Sequence, residues 1–390
     1  MAIINRIAEF HGDMTAWRRD FHAHPELGFE ETRTSGIVAE KLREFGFDEV
    51  HTGIAKTGVV GVLRGNQGDQ AIGLRADMDA LPIEETTGKP YASKNQGRMH
   101  ACGHDGHTTM LLGAARYLAE TRNFSGTTYF IFQPAEEGDG GGRVMVEEGL
   151  FDRFPMRQVY GMHNWPGRPV GNFAMRVGPI MASTDQFVIE VKGKGGHAAA
   201  PHLCLDPLIT AAQIALAMQT IISRNADPVE HGVVSVTQIH GGDALNVIPE
   251  TAMLAGTARS FTPDVRKLLE ERICAIPGHI AKAHGIEAEV DFRRGYPATV
   301  NSEAETALAG DAAAEIAGEE RVDRDTPPVM GGEDFAYMLE KKPGSYIFIG
   351  NGGDESTPML HNPGYDFNDE TLPHGASYWA RLVERLLPAA

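Results

Sequence analysis

Four short apolar runs, each closed by a polar break, constrain the fold of this chain more than any other feature. They are "TGVVGVLRG" (57–65), "AIGLRADMD" (71–79), "GTTYFIFQPAEE" (126–137) and "RQVYGMHNWP" (157–166). Branched and aromatic residues over such lengths predict buried strands. Between the second and third lies "GHTTMLLGAARYLAE" (106–120), with Met110, Leu111, Ala114 and Leu118 on one helical stripe. Strands alternating with helices imply an α/β sheet covered on both faces. In open sheets of that kind ligands bind outside the carboxyl ends of the strands. The polar clusters sit there: Asp77 and Asp79 after "AIGLRA", Glu136 and Glu137 after "YFIFQPA", His163 after "VYGM".

At 390 residues the chain is too long for one ordinary domain. The pattern changes near residue 184. "DQFVIEVKGKG", "DPLITAAQIALAMQTIISR", "GVVSVTQIHG", "ETAMLAGTARSF", "DVRKLLEERICAIPGHIAKAHG" and "IEAEVDFRRG" read as strand, helix, strand, strand, helix and strand. That β-α-β-β-α-β order is the ferredoxin-like arrangement. It predicts a domain at 184–296 inserted into a mixed-sheet α/β domain made of 1–183 and 297–390. The α/β pattern then resumes with a helix at "EAETALAGDAAAEIAG" and a strand at "GSYIFIGNG".

The densest chemistry is "HACGHDGH" (100–107). Cys102 and His104 flank Gly103, a spacing at which both side chains can face one point. Thiolate with imidazole suits zinc or another borderline transition metal. Taken singly, the pair reads equally as a small buried cysteine and a hydrogen-bonded histidine at a helix start. "QPAEEGDGGG" adds two adjacent carboxylates, one able to bind metal while the other stays free as a base, or both simply solvated. "GMHNWP" adds His163 and "MLHNPGYDF" adds His361. Four such loops at one end of one sheet point to a metal site.

These stretches resemble the di-metal aminoacylase and carboxypeptidase superfamily. More narrowly they resemble its N-acyl-amino-acid amidohydrolase branch, which includes hippurate hydrolases and plant auxin-conjugate hydrolases. "RRDFHAHPELGFEE", "LRADMDALPI", "HACGHDGH", "FQPAEEGDGGG", "GMHNWPG", "GKGGHAAAPH", "NVIPETAMLAGTARSF", "GGEDFAYM" and "LHNPGYDFND" carry the likeness, from about residue 17 to 369. The resemblance implies a di-zinc-peptidase-like catalytic domain with an inserted lid and dimerisation domain. It implies that Cys102, His104, Glu137, His163 and His361 hold two divalent metals, the Cys102 thiolate bridging them. Glu136 is then the free general base, and Asp79 orients a ligand by hydrogen bond. In other branches a metal-binding histidine stands where this chain has Asp77, which is therefore left out of the ligand set. His100, Asp105, His107 and His202 keep open roles. In the insert, His197 matches an oxyanion donor, often supplied by the partner subunit of a dimer. Asn246 and Arg259 match residues binding the substrate's carboxylate and carbonyl. Gly332, in "GGED", offers a backbone N–H at an expected helix start. Ala200 stands where relatives often carry methionine.

The implied activity is cleavage of the amide bond of N-acyl-L-amino acids, as hippurate or N-acetyl amino acids, by metal-activated water. A dipeptidase or carboxypeptidase of the same architecture would share every catalytic residue. A non-catalytic binding protein and a Cys102 thiol nucleophile are the alternatives from other classes. No G-x-S-x-G appears. Zinc, manganese, cobalt and nickel all suit the ligands. Lys and Arg number 35 against 53 Asp and Glu, a net −18, which argues against nucleic acid as a partner. No apolar run approaches membrane-spanning length. The polar breaks in "MAIINRIAEFHGDM" and three cysteines, Cys102, Cys204 and Cys274, make the cytoplasm the expected location.

Overall fold

In a computed structural model that describes residues 3–354 and 356–389, the chain divides into two compact units. One comprises Met1–Ile180, Val300–Pro327 and Asp334–Ala390, the other Met181–Thr299 and Pro328–Glu333.

The first unit is built on a mixed eight-stranded sheet. Its order is Glu49–Ile54, Gly58–Arg64, Ser125–Gln133, Asn66–Asp77, Gln158–Trp165, Gly344–Gly350, Phe173–Ala174, Val322–Asp323. The third to sixth of these strands are mutually parallel. All four therefore end at one edge, and residues far apart in sequence arrive there together. Gly58–Arg64 and Gly344–Gly350 are buried along almost their whole length, as branched apolar runs in a covered sheet must be. The helix His104–Thr121 is buried well beyond the expected stripe of Met110, Leu111, Ala114 and Leu118: Leu112, Gly113 and Ala115 are covered too. The helices His11–Ala23 and Leu372–Leu386 pack on it and supply that cover. The strand carrying His163 runs to Trp165, paired to Gly350, so His163 lies two residues inside its carboxyl end.

The second unit has strands Ser183–Lys192, Gly232–His240, Thr251–Ser260 and Glu287–Arg294 in one antiparallel sheet. The order across it is second, third, first, fourth. The expected single helix over "DPLITAAQIALAMQTIISR" is two, Pro207–Met218 and Thr220–Asn225, with Gln219 between them. Asp206 caps the first, its carboxylate accepting the N–H of Leu208 and of Ile209. Thr262 caps Pro263–Ala283 in the same way through the N–H of Val265. Among the described residues no helix is long and apolar enough to cross a membrane.

Candidate metal centre and active site

At the carboxyl edge of the parallel strands the first unit gathers Asp79, Cys102, His104, Glu136, Glu137, His163 and His361. Asp79 follows the strand Asn66–Asp77, and Glu136 and Glu137 follow Ser125–Gln133. His104 is the first residue of its helix, entered through Gly103 at φ +89°. A side chain at 103 would meet Asn164 Nδ2 at 2.3 Å and Tyr365 Oη at 2.5 Å, so only glycine admits this approach. His361 also takes a left-handed φ, +65°, and is tied down by its N–H to the Ala101 carbonyl at 2.8 Å.

His104 and His163 are each fixed through Nδ1, with Nε2 turned toward the other donor atoms. His104 Nδ1 donates to Asp79 Oδ1 at 3.2 Å, which leaves Nε2 without a hydrogen-bond partner although it is buried. His163 Nδ1 donates to the Asn164 carbonyl at 2.7 Å, and its Nε2 lies 3.3 Å from Cys102 Sγ. Asp79 Oδ2 accepts the Glu137 N–H at 2.9 Å, so one carboxylate orients both His104 and Glu137. Glu137 Oε1 accepts no hydrogen bond, though it lies 3.1 Å from His361 Nε2 and 4.0 Å from His104 Nε2. Glu136 Oε1 accepts the N–H of Asp334 at 3.3 Å.

Two of the ligand triads they form share Cys102: Cys102 with His104 and His163, and Cys102 with Glu137 and His361; His104 also groups with Glu136 and Glu137 and with Asp77 and His107, and within each group all ligand atoms lie within 4.8 Å of one another. An unpartnered buried ring nitrogen on His104 and carboxylate oxygen on Glu137, arranged with sulfur and nitrogen at these spacings, fit a borderline divalent cation once His104 gives up its proton. The electrostatics agree. Burial opposes charge on His104, but Asp77, Asp79 and Glu137 outweigh it and push its pKa up to about 10. Burial, then Glu137 and Glu136, push the Cys102 thiol well above its usual range. Burial, then His107, hold His163 well below the usual imidazole value. A pocket this anionic is completed by added positive charge.

The residues with open roles resolve in part. His107 Nδ1 donates to Asp77 Oδ1 at 2.6 Å, while its Nε2 accepts the Asn164 N–H at 2.9 Å, so both nitrogens are spent. Asp77 Oδ2 accepts from Arg75 at 2.6 Å. Asn164 in turn donates to the Cys102 carbonyl at 2.7 Å and accepts from the Tyr365 hydroxyl at 2.7 Å. Asp105 accepts from His22 at 2.8 Å. His100 is buried with neither nitrogen hydrogen-bonded.

In the second unit His197 and Asn246 come together. A two-stranded ribbon pairs His197 with Val247, and the Ala198 N–H donates to the Asn246 carbonyl at 3.0 Å. His197 and Asn246 are exposed. Arg259 lies on the strand Thr251–Ser260 and donates to the Ala258 carbonyl at 2.9 Å and to the Thr257 hydroxyl. His202 sits in the short turn Pro201–Leu203. Gly332 does not open a helix. The helix after "GGED" is a single turn, Ala336–Leu339, and the Asp334 side chain accepts the Gly142 N–H at 2.7 Å and an Arg75 N–H at 3.1 Å. Gly332 instead lies against Thr184, whose Cγ2 would stand 2.2 Å from an added Cβ.

Sequence reasoning did not find Arg75, Asn164, Asp334 or Tyr365. Arg75 had a signal, an arginine in the middle of an apolar strand, which must be paired if buried. The other three lie in quoted motifs but act on partners distant in sequence.

A hippurate hydrolase of Campylobacter jejuni is 44% identical over 387 residues, covering 99% of this chain and 100% of the relative. An N-acetyl-L-cysteine deacetylase of Bacillus subtilis is 43% identical, covering 95% of this chain and 87% of the relative. The crystal structure of the Bacillus subtilis YXEP protein, described as a dinuclear metal binding peptidase, superposes with a TM-score of 0.85 at 36% identity, covering 98% of this chain and all of that one. Residues 73–385 match the model of peptidase family M20/M25/M40, and with the likeness extending over the whole length, the chain belongs to that family.

Proposed function

We propose that the chain is a metal-dependent amidohydrolase that cleaves the acyl–nitrogen bond of N-acyl-L-amino acids. The observation that carries this reading is the pair of ligand triads sharing Cys102 with Glu136 beside them. The similar hippurate hydrolase and N-acetyl-L-cysteine deacetylase support the substrate class.

In this reading His104 and His163 with Cys102, and Glu137 and His361 with Cys102, hold two divalent ions: zinc, manganese, cobalt or nickel. Bound there, such ions supply an acidified water and polarise a carbonyl. Glu136 removes the water's proton and delivers it to the departing amine nitrogen. The Asp334 N–H holds one oxygen of Glu136 and so restricts the carboxylate's rotation. Asp79 keeps the His104 proton on Nδ1, which leaves Nε2 free to ligate. His197 serves as the oxyanion donor, Asn246 and Arg259 bind the substrate's carboxylate and carbonyl, and Gly332 contributes a backbone N–H. The second unit is proposed as lid and dimerisation domain, the active form as a homodimer, and the cytoplasm as its location, which suits three unpaired cysteines.

Elemental analysis of the purified protein, paired with a panel of N-acetyl and N-benzoyl amino acids and dipeptides, tests this. Two metals per chain with cleavage of acylated amino acids supports it. Cleavage of dipeptides alone would make the protein a peptidase. Activity without metal, dependent on a free thiol, would overturn it at Cys102.

A further inference from the structure

The motif "HPELGFEE" has no part in the mechanism above, yet it runs beside the active site. Leu27 bridges to Ala80, and the Ala80 N–H donates to the Glu26 carbonyl at 2.8 Å. A side chain added at Gly28 would stand 3.1 Å from Ala135 Cβ. The segment ends at Glu31, which is fully buried. Its Oε1 accepts the Ala135 N–H at 2.8 Å, and its Oε2 accepts from the Thr57 hydroxyl at 2.6 Å.

Ala135 is the residue that needs such a hold. It sits at φ +52°, a left-handed conformation that costs a residue with a Cβ, and it immediately precedes Glu136 and Glu137. The turn is over-determined by acidic side chains. Glu31 takes the N–H of Ala135, Asp79 that of Glu137, and Asp334 that of Gly142. Asp79 and Asp334 also bind ligand or buried charge. Glu31 hydrogen-bonds none of the ligand side chains, and its direct contact with the site is this grip on the loop.

We propose that Glu31 is a positioning residue for Glu136: by holding the Ala135 N–H it fixes the left-handed turn that aims the Glu136–Glu137 pair. The proposal rests on the amidohydrolase reading for its kinetic consequence, and on the hydrogen bond alone for its structural one.

The experiment compares wild type, Glu31→Ala, Glu31→Gln, Glu31→Asp and the double variant Glu31→Ala with Ala135→Gly. Three quantities are read: amide exchange in the peptide 130–142, metal per chain, and kcat and KM on an N-acyl amino acid. Gln keeps an acceptor at the same reach, so Glu31→Gln should stay near wild type in all three. Glu31→Ala should exchange faster in that peptide and lose kcat about ten- to hundredfold, with KM and metal content little changed, as misplacement of a catalytic group by about 1 Å would cause. Asp falls short of the amide by one methylene and should shift in the same direction, which keeps the test available if the alanine variant does not fold. Glycine at 135 relieves the left-handed strain, so the double variant should regain part of the lost kcat. Unchanged exchange and kcat in folded Glu31→Ala or Glu31→Asp would overturn the proposal. So would a loss of kcat that follows metal loss alone. If wild type hydrolyses no acylated amino acid, the functional reading fails, and the exchange data still decide whether Glu31 anchors the turn.

Discussion

Asp77 Oδ1 accepts the Nδ1 proton of His107 at 2.6 Å, and the other nitrogen of His107 accepts the Asn164 N–H at 2.9 Å. This hydrogen-bonded chain, continued to Arg75 on one side and to the Cys102 carbonyl on the other, braces the loop that carries Cys102. In Asp77→Asn an amide N–H must face either Arg75 or His107, leaving buried donors opposed. Removing one partner of a buried charged pair costs about 3–5 kcal/mol. We expect Asp77→Asn to lose stability on that scale in denaturant unfolding while binding its full complement of metal. A variant of unchanged stability that had lost one ion per chain would make Asp77 a ligand.

Glu136→Gln separates the base from the ligands. Gln can still accept the Asp334 N–H, so the loop keeps its shape. It cannot take a proton from water. We expect kcat to fall about 10²–10⁴-fold, the usual contribution of general acid–base catalysis, with two metals still bound. Glu137→Gln should lower metal content as well. Retained turnover in metal-loaded Glu136→Gln would sink the proposed mechanism.

The difference between what was legible in the sequence and what was not has a physical basis. Strand runs such as Gly58–Arg64 and the loops after Asp77 and Gln133 follow from local apolar patterning, and parallel strands then force their ends to one edge. Thiol, imidazole and carboxylate at those ends are readable as ligands by their chemistry. The bracing residues are not, because their partners are set by tertiary packing. Asp334 meets Arg75 across 259 positions and Tyr365 meets Asn164 across 201. Glu31 acts through a backbone N–H, which no residue type at position 135 announces. His163 closes the apolar part of its run, and pairing to the neighbouring strand continues beyond it through Trp165. The expected helix start at "GGED" falls short of the observed helix, which begins at Ala336.

His22 gives the fold a pH dependence apart from the metal ligands. Burial opposes its charge, but hydrogen bonds to Asp105 at 2.8 Å and Glu85 at 3.3 Å overcome this and raise its pKa to about 9. A raised histidine contributes stability in full below its unfolded value near 6.5, and loses it as pH rises through about 9. At 1.36 kcal/mol per unit the contribution is at most about 3 kcal/mol. We expect unfolding free energy to decline between about pH 6.5 and 9, and the decline to flatten in His22→Asn. An equal slope in that variant would assign the effect to another group.

Metal uptake should release protons. In the metal-free chain burial and the neighbouring carboxylates keep the Cys102 thiol protonated at neutral pH, and the carboxylates around His104 hold its imidazole charged, with a pKa of about 10. Ligation through sulfur and through His104 Nε2 requires both groups to give up a proton. Loading a chelator-stripped sample with zinc or manganese at pH 7 should therefore discharge about two protons per chain. Calorimetry in buffers of different ionisation enthalpy measures that number directly. Affinity should fall as pH is lowered, because protons compete for the same lone pairs. In Cys102→Ser the release should drop by about one, since a ligating serine hydroxyl need not ionise. Binding with no proton release in the native chain would show that neither Cys102 nor His104 is a ligand, and would remove the atom the two triads share.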